Sequence, residues 1–323
     1  MKLGRKHNMK IAIMESLGIS AQELASCMAP FEQEGHTFSV FDKTTDVDAL
    51  IAQARDADVM ILANMPMPGV VLENCPNLKF VDIAFTGVDH VAMNVVRDRQ
   101  IVASNASGYS NEAVAELGVG MVIGLLRNIP QVADRCRAGQ TKDGLVGCEL
   151  KGKTVGIIGL GKIGKRSAEL YHAFGCEILA SSRSFHEDNP AYIRQVSRQE
   201  LLEKSDVVIL HCPLNDSTRG MIDKAALESM KPTAVLVNLA RGPVVVSQDL
   251  ADALNNGVIA GAAIDVFDKE PPLDLSEPLL HAKNTIVTPH IAFASRESMS
   301  LRARIVFENL RCWLDGKPIN LVK

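Results

Sequence analysis

The fold is decided by the stretch Thr154-Val155-Gly156-Ile157-Ile158-Gly159-Leu160-Gly161-Lys162-Ile163-Gly164. Its apolar start leads into a glycine-rich turn, after which a helix-like stretch runs from Lys165 to Phe174 and a second apolar run begins at Cys176. This order predicts a strand, a tight turn, a helix and a second strand. Such a βαβ unit binds a dinucleotide at the start of its helix.

Each glycine of the turn has its own physical task. Gly159 permits the tight turn, Gly161 lets the backbone approach a pyrophosphate, and Gly164 lets the helix pack closely on the strand. The alternative is a tight turn with a purely structural role. The complete βαβ setting favours the dinucleotide, with Lys162 and Ile163 beside its phosphates.

Apolar runs and helical stretches alternate along the rest of the chain, as is typical of α/β folds with parallel sheets. In the first part, strands are predicted at Lys10–Met14, Thr37–Val40, Asp58–Leu62, Lys79–Ile83 and Ile101–Ala103. In the second part, six strands are predicted, at Thr154–Ile158, Cys176–Ala180, Asp206–Leu210, Ala234–Asn238, Ile259–Ile264 and Thr285–Val287. A long buried helix at Asn111–Leu126 connects the two parts, and a helix at Ser295–Trp313 is expected to return to the first.

The predicted fold class is therefore α/β, with two doubly wound domains. A Rossmann dinucleotide-binding domain at residues 108–292 is inserted in a flavodoxin-like substrate domain made of residues 1–107 and 293–323. A chain of 323 residues that is 47% hydrophobic has the length and composition for two such cores.

Composition also excludes some classes of function. A net charge of −4 and a pI near 6.1, without a basic stripe, argue against nucleic-acid binding. No apolar run is long enough to span a bilayer. The seven scattered cysteines form no CxxC and indicate reduced thiols in the cytoplasm. Residues 1–8 lack the apolar core of a signal peptide and are interpreted as a leader, with Met9 as a candidate start.

Three residues of chemical interest follow predicted strands. Arg241 comes shortly after the strand at 234–238, Glu270 follows the strand at 259–264, and His290 follows the strand at 285–287. Each residue alone has a simpler interpretation: Arg241 as a surface cation, Glu270 as a solvated loop carboxylate and His290 as a structural histidine. Together, at the end of the sheet where ligands bind, they form the set that hydride transfer to a 2-oxo acid requires.

The roles follow from the side-chain chemistry. The guanidinium of Arg241 clamps the substrate carboxylate and polarises the carbonyl. The imidazolium of His290 donates a proton to the new alkoxide, and Glu270 fixes the tautomer and stabilises the charged ring. A metal site is the competing use of such residues, but His186, His211 and the later histidines show no HxH or HExxH spacing.

These segments resemble, in order and over nearly the whole chain, the D-isomer-specific 2-hydroxyacid dehydrogenases. The matching segments are Thr86-Gly87-Val88-Asp89, Asn111-Glu112-Ala113-Val114-Ala115-Glu116, His211-Cys212-Pro213-Leu214 with Thr218-Arg219, Asn238-Leu239-Ala240-Arg241-Gly242, Asp265-Val266-Phe267 with Glu270-Pro271-Pro272, and Thr288-Pro289-His290-Ile291-Ala292.

The resemblance implies a set of site residues. The catalytic residues are Arg241, Glu270 and His290. The substrate carboxylate is bound by Arg241, His290 and the backbone N–H groups of Thr86, Gly87 and Val88. Asp265 binds the nicotinamide amide. The full set implied to bind the dinucleotide is Gly159, Gly161, Lys162, Ile163, Gly164, Ser182, Arg183, His211, Cys212, Pro213, Thr218, Leu239, Ala240, Asp265 and His290.

The resemblance also implies a substrate class and an assembly. The segment His290-Ile291-Ala292-Phe293-Ala294 is similar to that of glycerate dehydrogenases and glyoxylate/hydroxypyruvate reductases, which implies a small 2-oxo or 2-hydroxy acid substrate. The family is typically dimeric through the dinucleotide domain and its long helix, which implies a homodimer. Two alternatives stay open: a dinucleotide-sensing binding protein of the corepressor type, and a phosphoglycerate dehydrogenase. Because the chain ends soon after Trp313, we expect no appended regulatory domain.

One departure from the family pattern concerns the cofactor. Many members carry Asp after the second Rossmann strand, where it binds the ribose 2′-OH and repels a 2′-phosphate. This chain has Ser181-Ser182-Arg183-Ser184 there. Hydroxyls and a guanidinium pair well with phosphate oxygens, so the sequence predicts NADP(H) in preference to NAD(H).

Overall fold

The computed structural model describes residues 8–184, 189–270 and 272–322. It divides into two compact units. We call Met1–Ser110 with Ala294–Lys323 the split unit, and Asn111–Phe293 the inserted unit. The segment interpreted as a leader, residues 1–8, is described only at Asn8. His186 and Pro271 lie outside the described residues.

The split unit is built around a parallel sheet of five strands among the described residues. Its strands are β1 (Lys10–Ile13), β2 (Thr37–Val40), β3 (Val59–Leu62), β4 (Phe80–Ile83) and β5 (Val102–Asn105). Its helices are α1 (Ala21–Gln33), α2 (Val47–Ala54), α3 (Gly69–Glu73), α4 (Met93–Asp98) and, from the end of the chain, α11 (Arg296–Leu314). The strand order β2-β1-β3-β4-β5 is the flavodoxin-like order.

The last helix packs on the split unit, as the sequence predicts. Ser295 caps its first turn in a capping box with Ser298. Near its other end, Trp313 stacks on Phe80 of β4 with the ring centroids 4.9 Å apart. The Arg311 guanidinium also bonds the Glu34 carboxylate at 2.8 Å. The helix therefore closes one face of this sheet.

A buried carboxyl group joins this helix to the sheet. Asp82, in the middle of β4, is 0% exposed, and its Oδ1 accepts a hydrogen bond of 3.0 Å from Asn309 Nδ2. Its Oδ2 has no hydrogen-bond partner within the described part of the chain. Burial raises the pKa of Asp82 well above its usual value. The group is therefore favoured in its neutral form in the folded protein.

The inserted unit contains a parallel sheet of seven strands among the residues described. Its strands are β6 (Thr154–Ile158), β7 (Glu177–Ser181), β8 (Ile193–Gln195), β9 (Val207–Leu210), β10 (Val235–Asn238), β11 (Gly261–Ile264) and β12 (Thr285–Val287). Its helices are α5 (Asn111–Leu126), α6 (Ile129–Arg137), α7 (Lys162–Ala173), α8 (Arg198–Lys204), α9 (Lys224–Glu228) and α10 (Ser247–Asn255). The order β12-β11-β10-β9-β6-β7-β8 is the Rossmann order with one further strand at the β12 end. The predicted pair of doubly wound α/β domains is confirmed.

Two sequence-based expectations for this unit are wrong in detail. The sheet has seven strands instead of six, because β8 is a three-residue edge strand of Ile193, Arg194 and Gln195 and is too short and polar to show a pattern. Helix α7 begins at Lys162 and not at Lys165, because Gly161 is already its N-cap residue. The glycine turn is thus shorter than expected, and the helix N-terminus lies directly beside it.

Helix α5 is the long buried helix that the composition predicts. It has the predicted bounds, and its buried residues are Val114, Ala115, Gly118, Val119, Met121, Val122 and Gly124. Within the described ranges, no single helix has the length and apolar character to cross a membrane. The pair α5 and α6 meets that test only together, with a bend of 62° between them.

Candidate active site

The glycine-rich turn of the inserted unit fits a dinucleotide. Gly159 has φ +100°, and a Cβ there would lie 2.6 Å from the amide nitrogen of Cys212. A Cβ on Gly164 would overlap the carbonyl oxygen of Gly159. At Gly161, by contrast, a Cβ would meet no protein atom within 4 Å. Two glycines thus permit the protein's own packing, and the third leaves open space where a pyrophosphate approaches the backbone.

The start of helix α7 supplies the anion-binding groups. Gly161 is the N-cap residue and offers no side-chain cap, while Lys162, Ile163 and Gly164 form the first turn. The first N–H groups of a helix have no partner within the helix, and they carry the positive end of its dipole. These three predicted cofactor residues therefore form a helix N-terminus, which is the kind of position that suits an anion.

The end of β7 carries the residues that face the ribose in Rossmann domains. Ser182 follows the strand directly, and its Oγ donates a hydrogen bond of 2.7 Å to the Ser184 carbonyl. The same oxygen accepts one of 2.9 Å from Gln195 Nε2. Arg183, between the serines, is exposed to solvent. No acidic side chain occupies the first three positions after β7.

Hydrogen bonds within the inserted unit hold the loop after β9 in place. His211 is half-buried, and its Nε2 lies 2.8 Å from the Ser167 hydroxyl. Burial lowers the pKa of His211 to about 4, so the ring is neutral at physiological pH. Burial also raises the pKa of the Cys212 thiol to about 11, which excludes a thiolate nucleophile there. Thr218 Oγ1 donates to the Pro213 carbonyl at 2.7 Å.

The arginine segment is shaped by the residue at the end of β10. Asn238 is buried, its Oδ1 accepts from the Ala240 amide at 3.1 Å, and its Nδ2 donates to the Arg241 carbonyl at 3.0 Å. A Cβ on Gly242 would overlap the backbone of Phe267, so only glycine permits this approach. The predicted residue Leu239 and its neighbour Ala240 are buried as well. Arg241 is therefore held close to the loop that follows β11.

The histidine and the glutamate form a direct pair. His290 Nδ1 lies 2.6 Å from Glu270 Oε2, and the histidine side chain is 12% exposed. Because Nδ1 engages the carboxylate, Nε2 is the ring nitrogen that can deliver a proton to a substrate. His290 has the left-handed φ of +56°, which is uncommon for a residue with a side chain. The surrounding hydrogen bonds must hold it there.

Those hydrogen bonds come from Asp265, which follows β11 and is 0% exposed. Its Oδ1 accepts from Thr288 Oγ1 at 2.5 Å and from the Ile291 amide at 2.8 Å, while its Oδ2 accepts from the Ala292 amide at 2.8 Å. Its own carbonyl accepts from the His290 amide at 2.8 Å. Burial raises the pKa of Asp265, and the three donors counteract that shift.

The structure thus gives Asp265 a contact that sequence reasoning missed. The resemblance implies a bond to the nicotinamide amide, whereas both carboxylate oxygens here bind the segment that carries His290. Asn238 and Thr288 lie in the matching segments, but the sequence assigns neither of them a role of its own. Asn238 ends β10 and Thr288 follows β12, the two strands that flank β11, and these positions were the available indication.

The three predicted substrate-loop residues belong to the split unit. Thr86, Gly87 and Val88 follow β4 after a two-residue connection. The Thr86 carbonyl accepts a hydrogen bond of 2.8 Å from Asn105 Nδ2, which fixes the start of this loop.

Within residues 8–184, 189–270 and 272–322, no group of three or more His, Cys, Asp or Glu side chains could hold a metal ion.

The fold and this site define a dinucleotide-binding α/β oxidoreductase. A family profile described as "D-isomer specific 2-hydroxyacid dehydrogenase, NAD binding domain" matches residues 119–292. The hydroxypyruvate reductase of Blautia hydrogenotrophica is 36% identical over 296 residues, which cover 88% of this chain and 91% of that protein. The glyoxylate reductase of Thermofilum pendens is 36% identical over 279 residues, which cover 84% of this chain and 82% of that protein.

A solved structure has a similar fold over nearly the full length. An acyclic imino acid reductase (Bsp5) in complex with NADPH and D-Arg has a TM-score of 0.88 at 28% identity, covering 98% of this chain and 100% of that chain. The chain belongs to the D-isomer specific 2-hydroxyacid dehydrogenase family. It is an oxidoreductase of 2-hydroxy acids that uses a nicotinamide dinucleotide.

Proposed function

We propose that this protein reduces small 2-oxo acids to 2-hydroxy acids, such as glyoxylate to glycolate and hydroxypyruvate to D-glycerate. The observation that carries the proposal is the 2.6 Å pair of His290 and Glu270, which follow strands of the same parallel sheet as the glycine-rich turn. The names of the Blautia and Thermofilum relatives support the choice of substrate.

The nicotinamide, when bound, supplies the hydride. We propose that His290 Nε2 donates a proton to the alkoxide that forms, while Glu270 stabilises the imidazolium. Arg241 binds the carboxylate and polarises the carbonyl through its guanidinium. The backbone N–H groups of Thr86 to Val88 are proposed as further donors to the carboxylate.

The substrate assignment is tested by a panel of 2-oxo acids in the reductive direction. The panel contains glyoxylate, hydroxypyruvate, phosphohydroxypyruvate, pyruvate and a branched 2-oxo acid, with one 2-imino acid because of the Bsp5 neighbour. We expect the highest kcat/KM with glyoxylate or hydroxypyruvate. A preference for phosphohydroxypyruvate would assign the protein to phosphoglycerate metabolism, and a preference for the imino acid would contradict the proposal.

We further propose that NADP(H) is preferred over NAD(H). The support is the absence of an acidic residue at positions 182–184 and the exposed guanidinium of Arg183. Because Ser182 donates its proton within the turn, phosphate recognition falls mainly to Arg183. Hydrogen bonds to charged groups contribute about 1.5–3 kcal/mol, so Arg183→Ala should weaken the binding of NADPH by roughly 10- to 150-fold.

The matched control for that variant is Arg194→Ala, which removes an exposed arginine whose guanidinium pairs with Glu200. Arg183→Ala should leave the affinity for NADH little changed, and Arg194→Ala should change the affinity for neither cofactor. A wild-type preference for NADH, or an equal effect of Arg183→Ala on both cofactors, would refute the proposed preference.

We also propose that the protein is a cytoplasmic homodimer. All seven cysteines are unpaired, as expected of a reducing compartment. In the inserted unit, α6 has no buried residue, and Ile129 and Val146 are 51% and 80% exposed. Apolar exposure of this kind favours an interface. Light scattering at micromolar concentration should give the mass of a dimer, and a monomer would contradict this part of the proposal.

A further inference from the structure

Strand β8, which the sequence does not reveal, brings a glutamine beside the cofactor-selecting turn. Gln195 is the last residue of β8 and is paired in register with Ala180 of β7. Its Nε2 donates hydrogen bonds to Ser182 Oγ at 2.9 Å and to the Ser184 carbonyl at 3.1 Å. Its Oε1 accepts one of 3.0 Å from Asn189 Nδ2. One amide thus contacts both sides of the β7–β8 connection.

These bonds form a closed arrangement with the turn itself. Both protons of the Gln195 amide are directed at the turn, and the Ser182 hydroxyl donates to the Ser184 carbonyl at 2.7 Å. Ser182 Oγ therefore keeps only acceptor capacity toward a ligand. These hydrogen bonds hold residues 182–184 and thereby fix the backbone position of Arg183.

We propose that Gln195 is a positioning residue for cofactor selection. It holds the Ser182–Ser184 turn so that Arg183 is presented at the end of β7, where the substituent on the ribose 2′ carbon binds. The inference rests on the proposed function, because it assumes that this turn reads the 2′ position. It adds a determinant that lies on a different strand from the turn.

A merely structural role of Gln195 makes a different prediction. If the amide only secured an edge strand, its loss would lower thermal stability and weaken both cofactors alike. If it positions Arg183, its loss must change the ratio of the two affinities. The ratio of the NADPH and NADH dissociation constants, measured by titration of nicotinamide fluorescence without substrate, separates the two roles.

The experiment uses the full chain with Gln195→Ala and Gln195→Glu. Gln195→Glu keeps the shape but removes both donors and adds a negative charge beside Ser182. The matched control is Gln199→Glu, which adds the same charge on α8, where Gln199 bonds only Glu203 among the contacts described.

We expect Gln195→Ala to shift the affinity ratio toward NADH by about fivefold, the equivalent of one neutral hydrogen bond of about 1 kcal/mol. Gln195→Glu should shift it further in the same direction, and Gln199→Glu should leave it unchanged. Gln195→Leu replaces the alanine variant if the latter has a lowered melting temperature.

Several outcomes would overturn the inference. They are an unchanged ratio in both Gln195 variants, an equal loss for both cofactors, or the same shift in Gln199→Glu. The proposed function fails separately: a wild-type preference for NADH would refute the NADP(H) preference, whereas a changed ratio in the Gln195 variants would still support the positioning role.

Discussion

Replacing Asp265 by Asn should impair catalysis without touching a group that reacts. The carboxylate accepts hydrogen bonds from Thr288, Ile291 and Ala292. An asparagine oxygen can keep the first two, but its NH₂ group then faces the Ala292 amide, and two donors oppose each other. Losing one bond to a charged group costs about 1.5–3 kcal/mol.

Losing this hydrogen bond affects His290 because the backbone of that residue has a left-handed conformation that is unfavourable for a residue with a side chain. A side chain with left-handed φ costs about 1–2 kcal/mol, and relaxation of the segment would release that strain. The ring would then leave the 2.6 Å contact with Glu270. A displacement of about 1 Å at a reacting group can cost roughly 10²-fold in rate, so we expect kcat to fall by about that factor.

The assay is steady-state reduction of the best 2-oxo acid together with a thermal melt. A destabilisation of 1.5–3 kcal/mol lowers the melting temperature by roughly 2–4 °C per kcal/mol in a domain of this size. Asp268→Asn is the control, since Asp268 is an exposed carboxylate three residues further along the same loop. Wild-type kcat and melting temperature in Asp265→Asn would refute the reasoning.

Three further predictions concern single groups. His290→Ala should lower kcat by roughly 10²–10⁴-fold, the range for general acid–base catalysis, and near wild-type turnover would end its assignment. Arg241→Lys keeps the charge but loses the planar fork, so kcat/KM should fall by roughly 10- to 150-fold, and unaltered kinetics would show that the fork is not used. Asp82 has a raised pKa in the folded state, so its contribution to stability is complete below about pH 3.9 and declines, by about 1.4 kcal/mol per pH unit, as the pH rises to the folded pKa. Asp82→Asn should lack that decline when urea unfolding is followed from about pH 4 upward, and parallel pH profiles of the two proteins would contradict the burial argument.

Much of the fold was predictable because its strands are short apolar runs. Each of the strands β3, β4, β9 and β10 has four residues, and all four are buried. Such a run can be identified in the sequence without knowledge of the strands that pair with it. Strand β8 could not be predicted, because an edge strand of three residues with one apolar side chain has no period. Its existence depends on pairing with β7.

The backbone geometry of the glycine turn was also predictable, but the contacts of the side chains at the candidate site were not. A glycine pattern predicts its own backbone geometry, and Gly159 does have a positive φ. Side chains such as Asp265 and His211 are different, since a carboxylate or an imidazole after a strand can face either the ligand or the protein. The structure shows His211 half-buried, with its Nε2 2.8 Å from the Ser167 hydroxyl. Only tertiary packing makes that choice.

The central claim is that this chain transfers a hydride to one face of a small 2-oxo acid while His290 protonates the oxygen. The most direct test is to reduce hydroxypyruvate with NADPH and to determine the configuration of the glycerate by chiral chromatography. The account predicts D-glycerate, and it predicts that His290→Ala lowers the yield without changing the configuration. L-glycerate, or no turnover of any 2-oxo acid by a protein that binds the dinucleotide, would contradict it.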